Sequence, residues 1–126
     1  MLKAYNWNDL PKEFVREGIT RCGFRGENVV TVMNWIEPNI TINPHMHDFE
    51  QLVFCLQGQF NYHVGDEVHH MTPGSMLRVP PHRLHYVEPV GNEVALNLDV
   101  FAPLRADYMH LVDYQASEFS ETSSAL

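Results

Sequence analysis

The sequence predicts an all-β sandwich or barrel. Short runs rich in β-branched and aromatic residues alternate with Gly, Pro and Asn clusters about every eight to twelve residues. No helical period runs longer than about ten residues. At 126 residues and 44% hydrophobic content, the chain is long enough for one domain with a modest core.

Taken in order, residues 1–18 mix Trp7, Leu10, Pro11, Phe14 and Val15 with charges and read as a short turn or strand. Gly18–Asn28 reads as turn, short strand, turn, with Gly23 and Gly26 as breakers. Val29–Ile36 is a strand by its β-branched content, closed by Glu37, Pro38 and Asn39. Ile40–Pro44 leads into a strand that starts at His45 and ends at Gly58. Gln59–Val64 and Val68–Met71 flank a hairpin turn at Gly65, Asp66 and Glu67. Ser75–Val79 follows the turn Thr72-Pro73-Gly74, and Pro80-Pro81 then demands a bend or a sheet edge. His85–Glu88 and Glu93–Phe101 are the last strands. One barrel domain is expected over residues 1–115. Residues 116–126, rich in Ser, Thr and Glu, are expected to be a disordered tail.

Composition narrows the partners. The net charge is −8, from 16 acids against 8 bases, and no basic run exists. Nucleic acid and anionic membrane surfaces are therefore disfavoured. An anionic ligand needs a site where positive charge is locally concentrated. Cys22 and Cys55 make no disulfide framework, and Cys55 reads as a small buried hydrophobe. The N-terminus lacks an apolar signal core, and no apolar run reaches about 18 residues. A cytoplasmic protein is the expectation.

Chemistry concentrates in Pro44–Gly58. In a strand, His45, His47 and Gln51 share a face with Val53 and Cys55, because side chains alternate. Two imidazoles and an amide oxygen converging on one point make half of a metal site. A His-rich loop with exposed rings is the plainer alternative. Parity also groups Asn97, Asp99 and Phe101 against Val94, Leu96, Leu98 and Val100. The odd face then meets either solvent or a wet cavity. In the second case a second sheet or subunit covers the aliphatic face.

The spacing of Asn39, His45, His47, Gln51 and Gly58 resembles the first cupin motif, Gly-x5-His-x-His-x3-Glu-x6-Gly. Gly74, Pro80, His82 and His85 resemble the second, Gly-x5-Pro-x-Gly-x2-His-x3-Asn. Asn39 and His82 stand at glycine positions, Gln51 at the Glu and Pro89 at the terminal Asn. The resemblance covers roughly residues 19–110. It implies a cupin jelly-roll (double-stranded β-helix) barrel holding one divalent metal on His45, His47, Gln51 and His85. Nickel, zinc, manganese and iron all accept imidazole. Strand parity turns Asp48 and Glu50 away from these ligands. Three imidazoles and an amide depart from the two-His-one-carboxylate set of iron oxygenases. His63, His69, His70 and His110 lack partners at ligand spacing, while His82 could line the mouth.

Two segments resemble a narrower cupin subgroup: His45–Gln51, and Leu98–Tyr108 with its Asp-Val-Phe-Ala-Pro-Leu-Arg-Ala-Asp-Tyr run. Its best understood members linearise unsaturated uronates from pectin and alginate, and they too carry Gln at the Glu position. The resemblance implies a small anionic sugar-acid substrate. It assigns Asp99 to proton transfer, Phe101 to packing on the sugar ring, and Arg105 to the substrate carboxylate. Pairing of Arg105 with Asp107, and Phe101 as core, are the structural alternatives. An oxygenase, lyase or isomerase of other chemistry, or a non-catalytic binding module, is the competing function. Apolar surface on strand 93–101, with Trp7, Phe14 and Trp35, predicts a homodimer.

Overall fold

The structure is a computed structural model and describes residues 2–119. Nine strands form two antiparallel sheets. They are β1 (Glu13–Arg16), β2 (Ile19–Arg25), β3 (Val30–Ile36), β4 (Gln51–Gln57), β5 (Gln59–Val64), β6 (Glu67–Met71), β7 (Met76–Val79), β8 (His85–Val90) and β9 (Ala95–Phe101). The larger sheet runs β1-β2-β3-β9-β4-β7 and the smaller β6-β5-β8. Facing one another, they make the jelly roll.

Alternation fills the space between the sheets. Gln51, Val53 and Cys55 of β4 point inward and are buried, as are Phe60, Tyr62 and Val64 of β5. All but Gln51 form one core with Ile36, Met71, Val79 and Ala95. Gly58 carries the chain from β4 in one sheet to β5 in the other. It sits at φ 72°, and a Cβ there would stand 2.9 Å from Ala95 Cα and 3.1 Å from the Val94 carbonyl oxygen. Backbone cannot step aside as a flexible side chain would. Gly58→Ala should therefore destabilise the fold by more than the roughly 1–2 kcal/mol of the left-handed conformation alone. A lower urea midpoint with an unchanged slope checks this.

Three elements differ from the sequence reading. β4 begins at Gln51; His45 makes only an isolated bridge to His85, and the chain bends at Asp48 and Phe49. Strand parity therefore does not govern His45 and His47. Gly23 does not break β2. A Cβ there would lie 2.8 Å from Leu111 Cβ, so the glycine makes room for the C-terminal segment. That segment, Ala106–Gln115, is a 3-10 helix with a kink at Val112, which no apolar periodicity announced. The Gln115 side chain clamps β2: its Oε1 accepts from Arg25 N (2.8 Å) and its Nε2 donates to Arg25 O (3.0 Å). Here the amide replaces the strand partner that β1 is too short to supply. Residues 116–119, read as tail, continue as a helical turn with Arg25 over the Phe119 ring. The rest of the expected tail, 120–126, lies outside the described residues.

Outside the larger sheet, Cys22, Met33 and Leu96 are buried beneath Leu10, Trp35, Val94 and Leu98. Further along that face Leu56 and Met76 stay exposed, and Phe54 is half-buried. No helix among the described residues is long and apolar enough to cross a membrane.

Candidate metal centre

His45 and His47 lie in the extended lead-in to β4, and His85 opens β8. The backbones of His45 and His85 exchange two hydrogen bonds, N–H to O, at 3.0 and 2.9 Å. His82 donates its N–H to the His47 carbonyl at 2.8 Å and adopts φ 65°, which explains why a glycine is usual there in the motif. One ring nitrogen from each of His45, His47 and His85 lies within 4.8 Å of the others.

Each imidazole is oriented the same way. Nδ1 of His45 donates to Asn43 O (2.9 Å), of His47 to Phe49 O (2.7 Å) and of His85 to Arg83 O (2.8 Å). A carbonyl only accepts, so Nδ1 carries the hydrogen and Nε2 presents a lone pair. His85 Nε2 is buried with no hydrogen-bond partner among the described residues. Burial pushes the His85 pKa down to about 4, against the pull of the Arg83 carbonyl, and so keeps the ring neutral.

Gln51 stands beside His47. Its Nε2 donates to Asp99 Oδ1 (2.8 Å) and to Tyr62 Oη (3.1 Å). The amide oxygen must then face His47 Nε2, at 3.0 Å. Two lone pairs at that distance repel unless a cation lies between them. Ligand atoms about 2.1 Å from a metal, at right angles to each other, stand about 3.0 Å apart. This contact and the orphaned His85 nitrogen fit a metal held by His45, His47, Gln51 and His85. Asp48 and Glu50 are exposed and outside the cluster, and Glu50 pairs with Arg78.

Asp99 stands directly behind Gln51. Its Oδ1 also accepts from Asn97 Nδ2 (3.1 Å), and its Oδ2 accepts from Asn34 Nδ2 (3.1 Å). Burial raises the Asp99 pKa to about 7, while the three amide donors pull it back. Burial likewise holds the Tyr62 phenol well above its usual range, so it stays a neutral hydroxyl.

His45, His47, Gln51, Tyr62 and Asp99 line a cavity of about 250 Å³ with Phe101, Tyr108, Arg16 and Arg21, while His85 lies behind its wall. The volume lies below the roughly 300–1,000 Å³ of drug-sized sites, so it suits a small metabolite. Asp99 and Phe101 therefore meet the metal ligands. Arg105 lies one ring further out and is not among the lining residues. Its guanidinium lies 3.6 Å over the Phe49 ring, which stacks on His47 at 3.9 Å and 4°, and it pairs with Asp107 at 3.6 Å. His63, His69, His70 and His110 are satisfied elsewhere by Glu88, Glu67, Asn61 and Glu13. Sequence reasoning passed over Asn34, Tyr62 and Arg21. Asn34 carried a signal: it is a polar residue on the inward face shared with Val32 and Ile36.

Two packed antiparallel sheets with three converging imidazoles at the mouth define a cupin. Within that superfamily, the chain belongs to the family described as the AraC-like ligand-binding domain, whose model matches residues 28–110. Solved structures share the fold at low identity. An RmlC-like cupin from Shewanella frigidimarina is 22% identical with a TM-score of 0.73, covering 82% of this chain and 93% of that one. KdgF from Halomonas sp. is 23% identical with a TM-score of 0.71, covering 79% and 94%. The polyketide cyclase RemF from Streptomyces resistomycificus is 21% identical with a TM-score of 0.69, covering 83% and 81%. No curated protein matches the chain in sequence.

Proposed function

We propose that the chain is a metal-dependent enzyme that opens a 4,5-unsaturated monouronate, a small sugar acid from pectin or alginate breakdown. One observation carries the reading: a half-buried carboxylate, Asp99, lines a small cavity with His45 and His47, whose imidazoles converge with that of His85 on one point. A divalent metal bound there would act as a Lewis acid toward ligand oxygens. Asp99 accepts the proton of the anomeric hydroxyl as the bond from the anomeric carbon to the ring oxygen breaks. The ring oxygen leaves as an enolate, and the proton returns to carbon to give the ketone. Phe101 forms an apolar wall against the ring and excludes water. Likeness of Leu98–Tyr108 to the uronate-linearising subgroup supports this assignment; Arg105 takes part as the outer layer of the His47–Phe49 stack.

Loss of the enol-ether absorbance on mixing metal-loaded protein with an unsaturated monouronate tests the reading. No loss at high enzyme concentration would sink it. A second reading, a non-catalytic ligand-binding module, draws on the family's own description. It predicts tight binding of the sugar acid without turnover. An oxygenase is disfavoured by the neutral ligand set, since among the described residues no carboxylate joins the imidazole cluster.

We also propose a homodimer through the outer face of the larger sheet, where Phe54, Leu56 and Met76 continue the apolar surface of Leu98. Light scattering at micromolar concentration should give twice the 14.6 kDa chain mass. A monomer mass would contradict it.

A further inference from the structure

The cavity wall carries more basic than acidic side chains, in a strongly acidic chain. Two of the 8 Lys and Arg residues, Arg16 and Arg21, line it, and among the described residues Asp99 is the only acid that does. Both arginines come from the β1–β2 end of the larger sheet, whereas Gln51 is on β4. In sheet order β3 and β9 intervene, so Arg21 and Gln51 are three strand steps apart, about 14 Å along the sheet. One end of the cavity thus carries the metal ligands and the other carries guanidinium groups.

Arg21 is also held ready. Its Nε and Nη2 both contact Glu13 Oε1, at 2.8 and 2.7 Å, and its guanidinium lies 5.4 Å from the centre of the Tyr108 ring. Nη1 makes no hydrogen bond among the described residues. Glu13 is not Arg21's alone, because its Oε2 accepts from His110 Nε2 at 2.5 Å. Arg16, beside it, donates through Nη1 to the Thr41 carbonyl. A guanidinium fixed on one edge and open on the other loses little entropy on taking an anion.

We infer that Arg21, backed by Arg16, is the anion-binding pole of the cavity and takes the carboxylate of a small sugar acid, the role that resemblance gives to Arg105. This rests on the reading of the cavity as a sugar-acid site. It does not rest on turnover there. Charge at the far end from the metal selects ligands with an acidic group over neutral sugars of the same size.

Calorimetry with D-galacturonate and D-galactose on metal-loaded protein tests it, since neither saturated sugar has the double bond that the reaction needs. Wild type should prefer the uronate. Arg21→Gln should lower uronate affinity roughly ten- to hundred-fold, the range of a charge-assisted hydrogen bond, and leave galactose affinity and metal content unchanged. Glu13→Gln should raise uronate affinity, because it removes the negative charge that competes with the ligand carboxylate for Arg21; an arginine that only braces β1 would give a loss for both sugars. Arg16→Gln should show a smaller loss for the uronate and serves should Arg21→Gln fail to fold. Equal affinity of wild type for the two sugars, a preference that survives Arg21→Gln, or a preference abolished by Arg105→Gln would overturn the inference. Turnover without dependence on Arg21 would sink this inference alone. A preference dependent on Arg21 in a protein without turnover would sink the catalytic reading alone.

Discussion

His45→Ala with His47→Ala should leave the protein with almost none of the metal that the wild type holds. The two imidazoles would supply two of the four proposed donors, and they share one short segment whose backbone is pinned by His85 N–H to His45 O and by His82 N–H to His47 O. Those bonds use backbone atoms, so the segment keeps its course when the rings go. The remaining donors, His85 Nε2 and the Gln51 oxygen, are both neutral and cannot hold a divalent ion alone against water. Metal analysis after dialysis measures the loss, and the circular dichroism spectrum should match wild type. Unchanged metal content would place the ion elsewhere and remove the centre.

Asp99→Asn should lower turnover of the unsaturated uronate by about a hundred- to ten-thousand-fold, the usual effect of removing a general base. An amide oxygen at position 99 still accepts from Gln51 Nε2, so the Gln51 carbonyl keeps facing His47 and metal stays bound. What the amide cannot do is accept and return a proton. Asn34 Nδ2 loses the second carboxylate oxygen but keeps the Val32 and Asn97 carbonyls as acceptors, so the fold has no cause to open. Steady-state kinetics and metal content on the same preparation separate the outcomes. Full activity would take Asp99 out of the reaction, and loss of metal would make its effect indirect.

Strand-rich architecture was legible because β-branched runs and Gly, Pro and Asn turns are local signals. So was the parity of β9, which puts Asn97, Asp99 and Phe101 toward the cavity. His45 and His47 were found for a reason that does not hold. They meet His85 through an irregular lead-in, not along a strand, and it was motif spacing that carried them. Arg21 was not legible. Its place depends on β2 pairing with β3 in the register Arg21 to Asn34, and on Glu13 arriving from β1. Neither follows from residues near it in sequence. The helix Ala106–Gln115 was missed because its anchors, Gln115 and Tyr114, act on the β2 backbone through polar atoms, which no apolar pattern records.

The hydrogen bond from Gln51 to Asp99 joins residues 48 positions apart into one heritable unit. A glutamate at 51, the commoner residue at this place in the motif, would bring the negative charge into contact with the metal, but it would also set a second carboxylate against Asp99 where an amide now donates. Either change alone would leave the pair with too much acid or too little. A lineage passing between the two arrangements has to alter both positions, so substitutions here carry strong epistasis. Where the charge resides, on the metal or one residue behind it, marks a divide that single mutational steps do not cross easily.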